Sequence, residues 1–308
     1  MMDYGDWAYF EGEIVPIDDA KVSVMTHAFN YGTAVFEGIR GYWNKQDEQL
    51  YIFRLREHVD RMLRNCNILM IRPKLSMDEI CDLVVGLTAK NGFREDTYIR
   101  PVAYKSAWKL GPHVHDVDDD LTIYTLRLGD YVDISGLRVC VSSWRRVRDN
   151  AIPARGKISG SYVNSALAAT EARLAGFDEA IFLGEDGAVS EGSAENLFLV
   201  QDGRLVTPPV TADILVSITR NTLIELARDE LGVETLERPV GRTELYVSDE
   251  LFFCGTGAQV APVTEVDNRP VGDGTPGEIT LKLQKLYFDV VQARVEKYRH
   301  WCTPVYNK

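Results

Sequence analysis

The sequence predicts an α+β protein, because strand-like and helix-like segments are mixed along the chain without regular β-α-β alternation. Two hairpin-turn dipeptides, Asp186-Gly187 and Asp202-Gly203, lie between runs of alternating apolar residues and indicate antiparallel strands. The length of 308 residues is enough for about two domains. We place the smaller domain at 1–128, a linker at 129–136 because of its turn-like composition, and a larger β-rich domain at 137–308.

The first half reads as strands with two helices. A hairpin is predicted around Glu11-Gly12, and a helix is predicted from Ser76, where Ser76-Met77-Asp78-Glu79 forms a capping box, to Gly92. An earlier helix is indicated by apolar residues on one face at Val59, Met62, Leu63 and Cys66. The remaining strands are predicted at 33–43, 49–55, 97–108 and 120–128.

The second half opens with a strand at 137–144, followed by a Gly/Ser-rich loop and a helix within 149–176. A β-rich block covers 179–209, a helix 218–232, and two strands 251–257 and 259–266. A closing helix is predicted from Pro276 to Arg299, with Thr275 as its N-cap and Glu278 completing a capping box.

Composition excludes several classes of protein. The formal net charge of −12 argues against a nucleic-acid partner, and no run of about eighteen apolar residues predicts a membrane span. The N-terminus is acidic and does not resemble a signal peptide. The cysteines are odd in number and contain no C-x-x-C pair, so the sequence predicts a reduced, cytoplasmic protein without a zinc site; they are Cys66, Cys81, Cys140, Cys254 and Cys302.

Three short motifs suggest ligands but do not fit them. "GDGTPG" at 272–277 matches a dinucleotide fingerprint, yet too little chain follows it for a second strand. Gly156-Lys157 is like the end of a phosphate-binding loop, but Ile158 stands where a magnesium-binding hydroxyl is needed. "HVHDVDDD" at 113–120 does not match a calcium loop, so no metal is predicted.

Lys157 is the candidate reactive residue, because small neighbours in "ARGKISGS" would let a planar cofactor approach its backbone. A pyridoxal ring also needs a carboxylate at its nitrogen, a donor at its phenolic oxygen and an anion site for its phosphate. The chain offers a candidate for each need, although each residue taken alone is better explained by a structural role. These candidates are Glu191, Tyr162, the helix start at Ile218 and Thr219, the turn at Thr256, and Arg61.

Together these residues form a recognisable pattern. The strongest segments are "THAFNYGTAVFEGIRGY" (26–42), "FRLREHVDRM" (53–62), "TYIRP" (97–101), "IPARGK" (152–157), "SEGSAENLF" (190–198) and "GTGAQVAPV" (255–263). In this order they resemble the branched-chain amino-acid aminotransferases, which are fold-type IV pyridoxal-phosphate enzymes. The resemblance covers nearly the whole chain and implies a small N-terminal α/β domain, a larger C-terminal domain and an active site between them.

The resemblance also implies residue roles. Lys157 is expected to form the Schiff base with pyridoxal 5′-phosphate, Glu191 to keep the pyridine nitrogen protonated, and Tyr162 to bind the phenolic oxygen. The expected phosphate-binding residues are Arg61, Ile218, Thr219 and Thr256. The expected substrate-binding residues are Tyr31, Phe36, Arg40, Tyr98, Arg100, Thr256 and Gly257. Part of the pocket is expected from a neighbouring subunit, which implies a homodimer or a higher homo-oligomer.

The implied activity is ping-pong transamination of branched-chain L-amino acids with 2-oxoglutarate. Leu128 stands where the family often has tryptophan, and the loop after Lys105 also departs from the family pattern. An (R)-selective amine transaminase or a D-amino-acid transaminase would share the cofactor site, as would an aminodeoxychorismate lyase; Tyr98-Ile99-Arg100 favours the branched-chain type. A non-catalytic pyridoxal-phosphate-binding protein is the remaining alternative, and it is disfavoured because Lys157, Glu191 and Arg61 are all present.

Overall fold

The computed structural model describes residues 4–129 and 134–306 and shows the α+β class that the sequence predicts. The described residues form two compact units, one of residues 4–129, 156–160 and 289–306 and one of residues 134–155 and 161–288. The sequence-based division put 156–160 and 289–306 in the second domain. They group with the first unit because Ile158 bridges Val35 and the last strand pairs with Gln49–Phe53. In the predicted linker, residues 130–133 lie outside the described residues, so that boundary stays a prediction.

The first unit is built on one sheet with strand order β17-β5-β4-β6-β7-β1-β2, in which β3 also pairs with β6. Its strands are β1 (Trp7–Phe10), β2 (Glu13–Pro16), β3 (Ala34–Phe36), β4 (Ile39–Asn44), β5 (Gln49–Phe53), β6 (Thr97–Lys105), β7 (Asp119–Arg127) and β17 (Cys302–Pro304). Its helices are α1 (His27–Tyr31), α2 (Leu55–Cys66) and α3 (Met77–Asn91), with 3₁₀ turns at Ile17–Asp19 and Glu296–Trp301.

The core of the first unit is a cluster of buried apolar side chains from α2, from α3 and from strands of its sheet. Val59, Met62 and Cys66 of the predicted helix face are buried, and Leu63 packs at its margin. The predicted capping box at the start of α3 is confirmed, since Ser76 Oγ accepts from the Glu79 backbone N–H at 3.3 Å and Glu79 Oε2 accepts from the Ser76 backbone N–H at 2.8 Å.

The strand predicted at 33–43 is divided at Glu37 and Gly38. The pairs Phe36↔Val102 and Ile39↔Ile99 place Pro101 opposite Glu37. Because proline has no backbone N–H, Pro101 accepts a hydrogen bond from the Glu37 N–H at 2.9 Å but returns none. The ladder is therefore interrupted at Glu37, directly beside Phe36.

The second unit contains a second sheet with strand order β10-β9-β8-β15-β14-β11-β12-β13, in which β16 also pairs with β15. Its strands are β8 (Leu137–Arg145), β9 (Glu179–Leu183), β10 (Val189–Gly192), β11 (Asn196–Gln201), β12 (Arg204–Thr207), β13 (Thr235–Glu237), β14 (Glu250–Gly255), β15 (Gln259–Val266) and β16 (Arg269–Pro270). Its helices are α4 (Tyr162–Leu174), α5 (Ile218–Leu231) and α6 (Glu278–Val291), with 3₁₀ turns at Ser159–Ser161, which precedes α4, and Arg242–Tyr246. In the described ranges, none of the helices is long and apolar enough to cross a membrane.

The predicted bounds of the closing helix were wrong at both ends. Thr275 does not cap the helix, because its N–H and hydroxyl both donate to Asp273 Oδ1, at 2.9 and 2.6 Å. The carboxylate of Glu250, at the start of β14, caps α6 instead by accepting from the backbone N–H groups of Ile279 at 3.0 Å and Thr280 at 2.7 Å. The helix ends before Ala293, whose positive φ of 57° cannot continue it.

Gly277 leaves the space that this cap needs, since a Cβ there would lie 2.0 Å from both Cγ and Cδ of Glu250. We expect Gly277→Ala to displace the Glu250 carboxylate and lower the free energy of unfolding by about 1–3 kcal/mol. Calorimetric unfolding measures this, with Gly86→Ala as the matched control. Gly86 lies inside α3 with open space at its Cβ position, so its replacement should be neutral or stabilising. An unchanged unfolding temperature for Gly277→Ala would show that the cap contributes little.

Candidate active site

Lys157 is held against the first sheet by its own backbone. Its carbonyl accepts from the Phe36 N–H at 3.0 Å, and the next residue, Ile158, forms a bridge with Val35. Its Nζ lies 4.9 Å from the centre of the Phe36 ring. The Gly/Ser-rich loop therefore presents the lysine amine beside an aromatic side chain on a fixed strand.

Two glycines make this placement possible. Gly32 ends α1 in the left-handed conformation, with φ 67°, and its carbonyl accepts from the Gly160 N–H at 3.1 Å. A Cβ at Gly32 would lie 2.8 Å from the Cα of Gly160. Because the two backbones touch, a side chain at Gly32 would push the lysine-bearing loop away.

Arg100 and Tyr98 approach the same aromatic ring. The Cζ of Arg100 lies 4.4 Å from the centre of the Phe36 ring, and its Nη2 and Nε donate to the Tyr98 hydroxyl at 2.6 and 3.1 Å. Gly38 leaves room for that hydroxyl, since a Cβ there would lie 2.4 Å from it. The structure thus brings together four predicted site residues, Phe36, Tyr98, Arg100 and Lys157, and gives the first unit a guanidinium suited to a carboxylate ligand.

Two further predicted substrate residues have other contacts. The hydroxyl of Tyr31 accepts from the Gly111 N–H at 2.9 Å, so this side chain connects the end of α1 to the loop between β6 and β7. Arg40 is 1% exposed, and its Nη2 donates to the carbonyls of Leu128 at 3.0 Å and Gly129 at 2.6 Å. Their substrate-binding roles stay predictions.

Arg61, the predicted phosphate ligand on α2, is paired with a buried glutamate that the sequence did not reveal. Its Nε and Nη2 donate to Oε1 and Oε2 of Glu37, both at 2.7 Å, and His58 Nδ1 lies 2.8 Å from Oε2. Since a carboxylate only accepts, His58 Nδ1 is the donor. The sequence signal for this cluster is Glu37 itself, an acidic residue within the mostly apolar segment 33–43.

The Glu37 carboxyl stays ionised in this setting. Burial alone raises its pKa, but the charge of Arg61 and the hydrogen bonds from Arg61 and His58 outweigh burial and lower the pKa from 4.5 to about 2. Burial lowers the pKa of His58, which favours the neutral imidazole. Because the pKa of Glu37 is lower in the folded chain, this group stabilises the fold above pH 4.5, and the contribution is lost as the pH falls towards about 2.

In the second unit, Glu191 is a buried carboxylate with donors at both of its oxygens. Arg146 Nη2 lies 2.8 Å from Oε1, while Asn196 Nδ2 and the Leu215 N–H donate to Oε2 at 2.8 and 3.1 Å. Sequence reasoning missed Arg146 and Asn196. Arg146 is one of three arginines in "WRRVR", and the sequence does not indicate which of them turns inward. These contacts hold the Glu191 carboxylate in a fixed orientation beside the positive charge of Arg146.

The predicted anion-binding residues lie at a helix start and a strand turn. At the N-terminus of α5, Ser217 Oγ accepts from the Arg220 N–H at 3.3 Å, and the Ser217 carbonyl accepts from the Asn221 N–H at 3.1 Å. By helix geometry, the N–H groups of Ile218 and Thr219 then have no acceptor within the helix and suit an anion.

Thr256 and Gly257 form the turn between β14 and β15, which the Gly255↔Gln259 pair closes. Tyr162 is the first residue of α4. In the described part of the chain, no group of three His, Cys, Asp or Glu side chains is placed to hold a metal ion.

The chain is similar to known proteins over nearly its full length. Residues 34–266 match the family model described as amino-transferase class IV. A probable branched-chain-amino-acid aminotransferase of Aquifex aeolicus is 50% identical over 304 residues, which are 98% of this chain and 98% of that protein. The branched-chain-amino-acid aminotransferase of Escherichia coli is 38% identical over 305 residues, which are 97% of each chain.

Solved structures of branched-chain aminotransferases are also similar to this chain over nearly its full length. The branched-chain aminotransferase of Thermoproteus uzoniensis, crystallised with norvaline, has a TM-score of 0.94 and 43% identity, covering 98% of this chain and 100% of that one. The branched-chain amino acid aminotransferase of Thermobaculum terrenum in its pyridoxal-phosphate form has a TM-score of 0.94 and 39% identity, covering 99% and 100%.

Proposed function

The chain belongs to the class IV aminotransferase family, and we propose that it transfers the amino group of branched-chain L-amino acids to 2-oxoglutarate with pyridoxal phosphate as its cofactor. The observation that carries this proposal is full-length similarity, from 38% to 50% identity, to branched-chain aminotransferases. The chain also retains, at fixed positions in its fold, the amine and the guanidinium that the reaction requires. The fold and the family were both predicted from the sequence, and both are confirmed.

The chain has groups of each kind that pyridoxal phosphate needs. The cofactor needs an amine for its aldehyde, a carboxylate for its ring nitrogen and N–H donors for its phosphate. Lys157 offers the amine, Glu191 offers a carboxylate paired with Arg146, and the start of α5 offers N–H groups. When bound, pyridoxal phosphate supplies an electron sink for the carbanion that forms at the substrate Cα.

The residues act as follows in this proposal. The Nζ of Lys157 would hold the cofactor through its aldehyde and would move the proton at the substrate Cα. Glu191 keeps a proton on the ring nitrogen, and the hydroxyl of Tyr162 binds the phenolic oxygen. The phosphate is bound by Arg61, Ile218, Thr219 and Thr256.

In this proposal, a guanidinium and backbone N–H groups recognise the substrate carboxylate, and an aromatic ring recognises its aliphatic side chain. Arg100, oriented by the Tyr98 hydroxyl, binds the substrate carboxylate together with N–H groups of Thr256 and Gly257. The ring of Phe36 lines the space for a branched aliphatic side chain, with Tyr31 and Arg40 completing the pocket. The first keto acid leaves before the second one enters, so the kinetics are ping-pong.

We also propose that the chain is a cytoplasmic homodimer or a higher homo-oligomer. Large apolar side chains are exposed around Tyr31, including Phe29 (68%), Trp108 (66%) and Leu110 (86%). The loop that carries Trp108 and Leu110 is connected to Tyr31 through the Gly111 N–H. Exposed apolar side chains grouped in this way favour coverage by a second copy of the chain.

The absorbance spectrum of the purified protein with pyridoxal phosphate tests the activity. We expect the yellow band of the bound cofactor to disappear on addition of L-leucine, and to persist when D-alanine or (R)-1-phenylethylamine is added separately. Loss of the band with either of the last two compounds would identify a D-amino-acid or (R)-amine transaminase instead. A protein that binds the cofactor and converts none of the three donors would contradict the proposal.

A further inference from the structure

Glu37 occupies an unusual position for a carboxylate. Its side chain is 0% exposed, and it lies at the interruption between β3 and β4, one residue from Phe36. Its backbone N–H donates to the Pro101 carbonyl at 2.9 Å, and this hydrogen bond fixes the backbone from which the side chain extends. Burying an ionised carboxylate is costly unless its oxygens are fully satisfied, so a fold that retains one here has satisfied it with specific partners.

Those partners use one edge of the Arg61 guanidinium. The Nε and Nη2 of Arg61 donate in parallel to the two oxygens of Glu37, both at 2.7 Å, in the bidentate geometry that fixes the plane of the guanidinium. His58 supports the carboxylate from a second side at 2.8 Å. Glu37 and His58 are both buried, whereas the Arg61 side chain keeps 16% of its surface exposed.

A guanidinium has donors on more than one edge. With the Nε–Nη2 edge directed at Glu37, the Nη1 group extends away from that carboxylate in a direction that the ion pair determines. We propose that Glu37 is a positioning residue, which fixes the plane and direction in which the Arg61 guanidinium meets the phosphate of the cofactor. This inference rests on the phosphate-binding role of Arg61 in the proposed function, and it assigns Glu37 no contact with the cofactor itself.

A purely structural ion pair predicts a different result. If the pair only stabilises the first unit, replacing Glu37 lowers the unfolding temperature and leaves phosphate binding by the folded molecules unchanged. If Glu37 positions Arg61, phosphate affinity falls in protein that is still folded. Coupling between the two residues separates these cases, because removing Glu37 has no further effect on binding once Arg61 is absent.

The experiment measures binding of inorganic phosphate and of pyridoxal phosphate to the cofactor-free protein by calorimetry. The variants are Glu37→Gln, Arg61→Ala and the double variant, and unfolding temperatures without ligand report folding. We expect Glu37→Gln to weaken both ligands about tenfold, Arg61→Ala to weaken them at least as much, and the double variant to match Arg61→Ala. The ³¹P chemical shift of the bound cofactor should also move in Glu37→Gln.

The matched control is Asp78→Asn, which breaks the exposed Arg56–Asp78 pair, 2.6 Å long, and should leave both affinities unchanged. If Glu37→Gln does not fold, Glu37→Asp retains the charge while shortening the side chain, and it should still weaken binding by shifting Arg61. Unchanged affinity in a folded Glu37 variant, with a loss in Arg61→Ala, would overturn the positioning role and leave the proposed function intact. Unchanged affinity in Arg61→Ala would instead overturn the phosphate-binding role of Arg61.

Discussion

Replacing Lys157 with alanine is expected to lower the turnover number for L-leucine and 2-oxoglutarate by about 10⁴-fold or more, because the substitution removes the residue proposed both to anchor the cofactor covalently and to transfer the proton. The backbone around Lys157 holds the residue through its own carbonyl and through Ile158, so the loop does not depend on the lysine side chain. The variant should therefore fold normally. Steady-state kinetics measure the loss, and the absorbance spectrum should lack the yellow band of the covalently held cofactor.

Lys45→Ala is the control for this prediction, since Lys45 is an exposed lysine in the turn between β4 and β5 of the same unit. It should retain full turnover and the yellow band. The Lys157→Ala protein should still bind pyridoxamine phosphate, which needs no lysine anchor, through the groups assigned to the phosphate and ring nitrogen. Turnover within about tenfold of the unmodified protein would show that another amine performs the chemistry.

The sequence predicts a structural element correctly where the residues that determine its conformation lie in the element itself. The hairpin turn at Glu11-Gly12 has positive φ angles of 50° and 89°, as a two-residue turn between paired strands requires. The Asp202-Gly203 turn behaves in the same way, with φ angles of 50° and 72°. In each case the residues that determine the conformation are the residues that adopt it.

The structure differs from the sequence-based expectation where the cause is distant in the chain. The start of α6 is determined by Glu250, which lies 30 residues before Thr280. The division of the strand at Glu37 depends on Pro101, a residue of another strand. Capping and pairing rules describe near neighbours, so a partner brought in by the fold is invisible to them.

In the candidate site too, partners that are distant in the chain were not predicted from the sequence. The motifs indicate Lys157, Glu191 and Arg61, but the groups that orient two of them come from elsewhere. Arg146 is 45 residues from Glu191, and Glu37 is 24 residues from Arg61. An ion pair at such a separation leaves no spacing pattern, so a sequence predicts the residues that meet a ligand more readily than those that orient them.

The second large loss of turnover is expected when the buried pair of Glu191 and Arg146 is disrupted. We expect Glu191→Ala to lower turnover by about 10²–10³-fold, because the ring nitrogen would lose the ionised partner that keeps it protonated. Glu191→Gln retains the shape and can accept the hydrogen bonds from Asn196 and Leu215 at its amide oxygen, but it loses the charge, and its NH2 group cannot accept from Arg146. A comparable loss in this variant would therefore identify the charged pair, and not the volume of the side chain, as the cause. Turnover with L-leucine is the measurement, and the protonation state of the cofactor is followed by its absorbance spectrum.

Arg146→Ala tests the orienting role of Arg146 separately from the role of the Glu191 carboxylate. Arg146 donates to Glu191 at 2.8 Å and to the Asp213 carbonyl at 3.3 Å, so its loss leaves a buried carboxylate without its counter-charge. We expect an unfolding free energy lower by about 3–5 kcal/mol and a smaller fall in turnover than for Glu191→Ala, since the carboxylate itself remains. Arg148→Ala, in the same segment but with a side chain 62% exposed, is the matched control and should change neither quantity. Full stability and turnover in Arg146→Ala would mean that Asn196 and the Leu215 N–H suffice to hold Glu191 ionised.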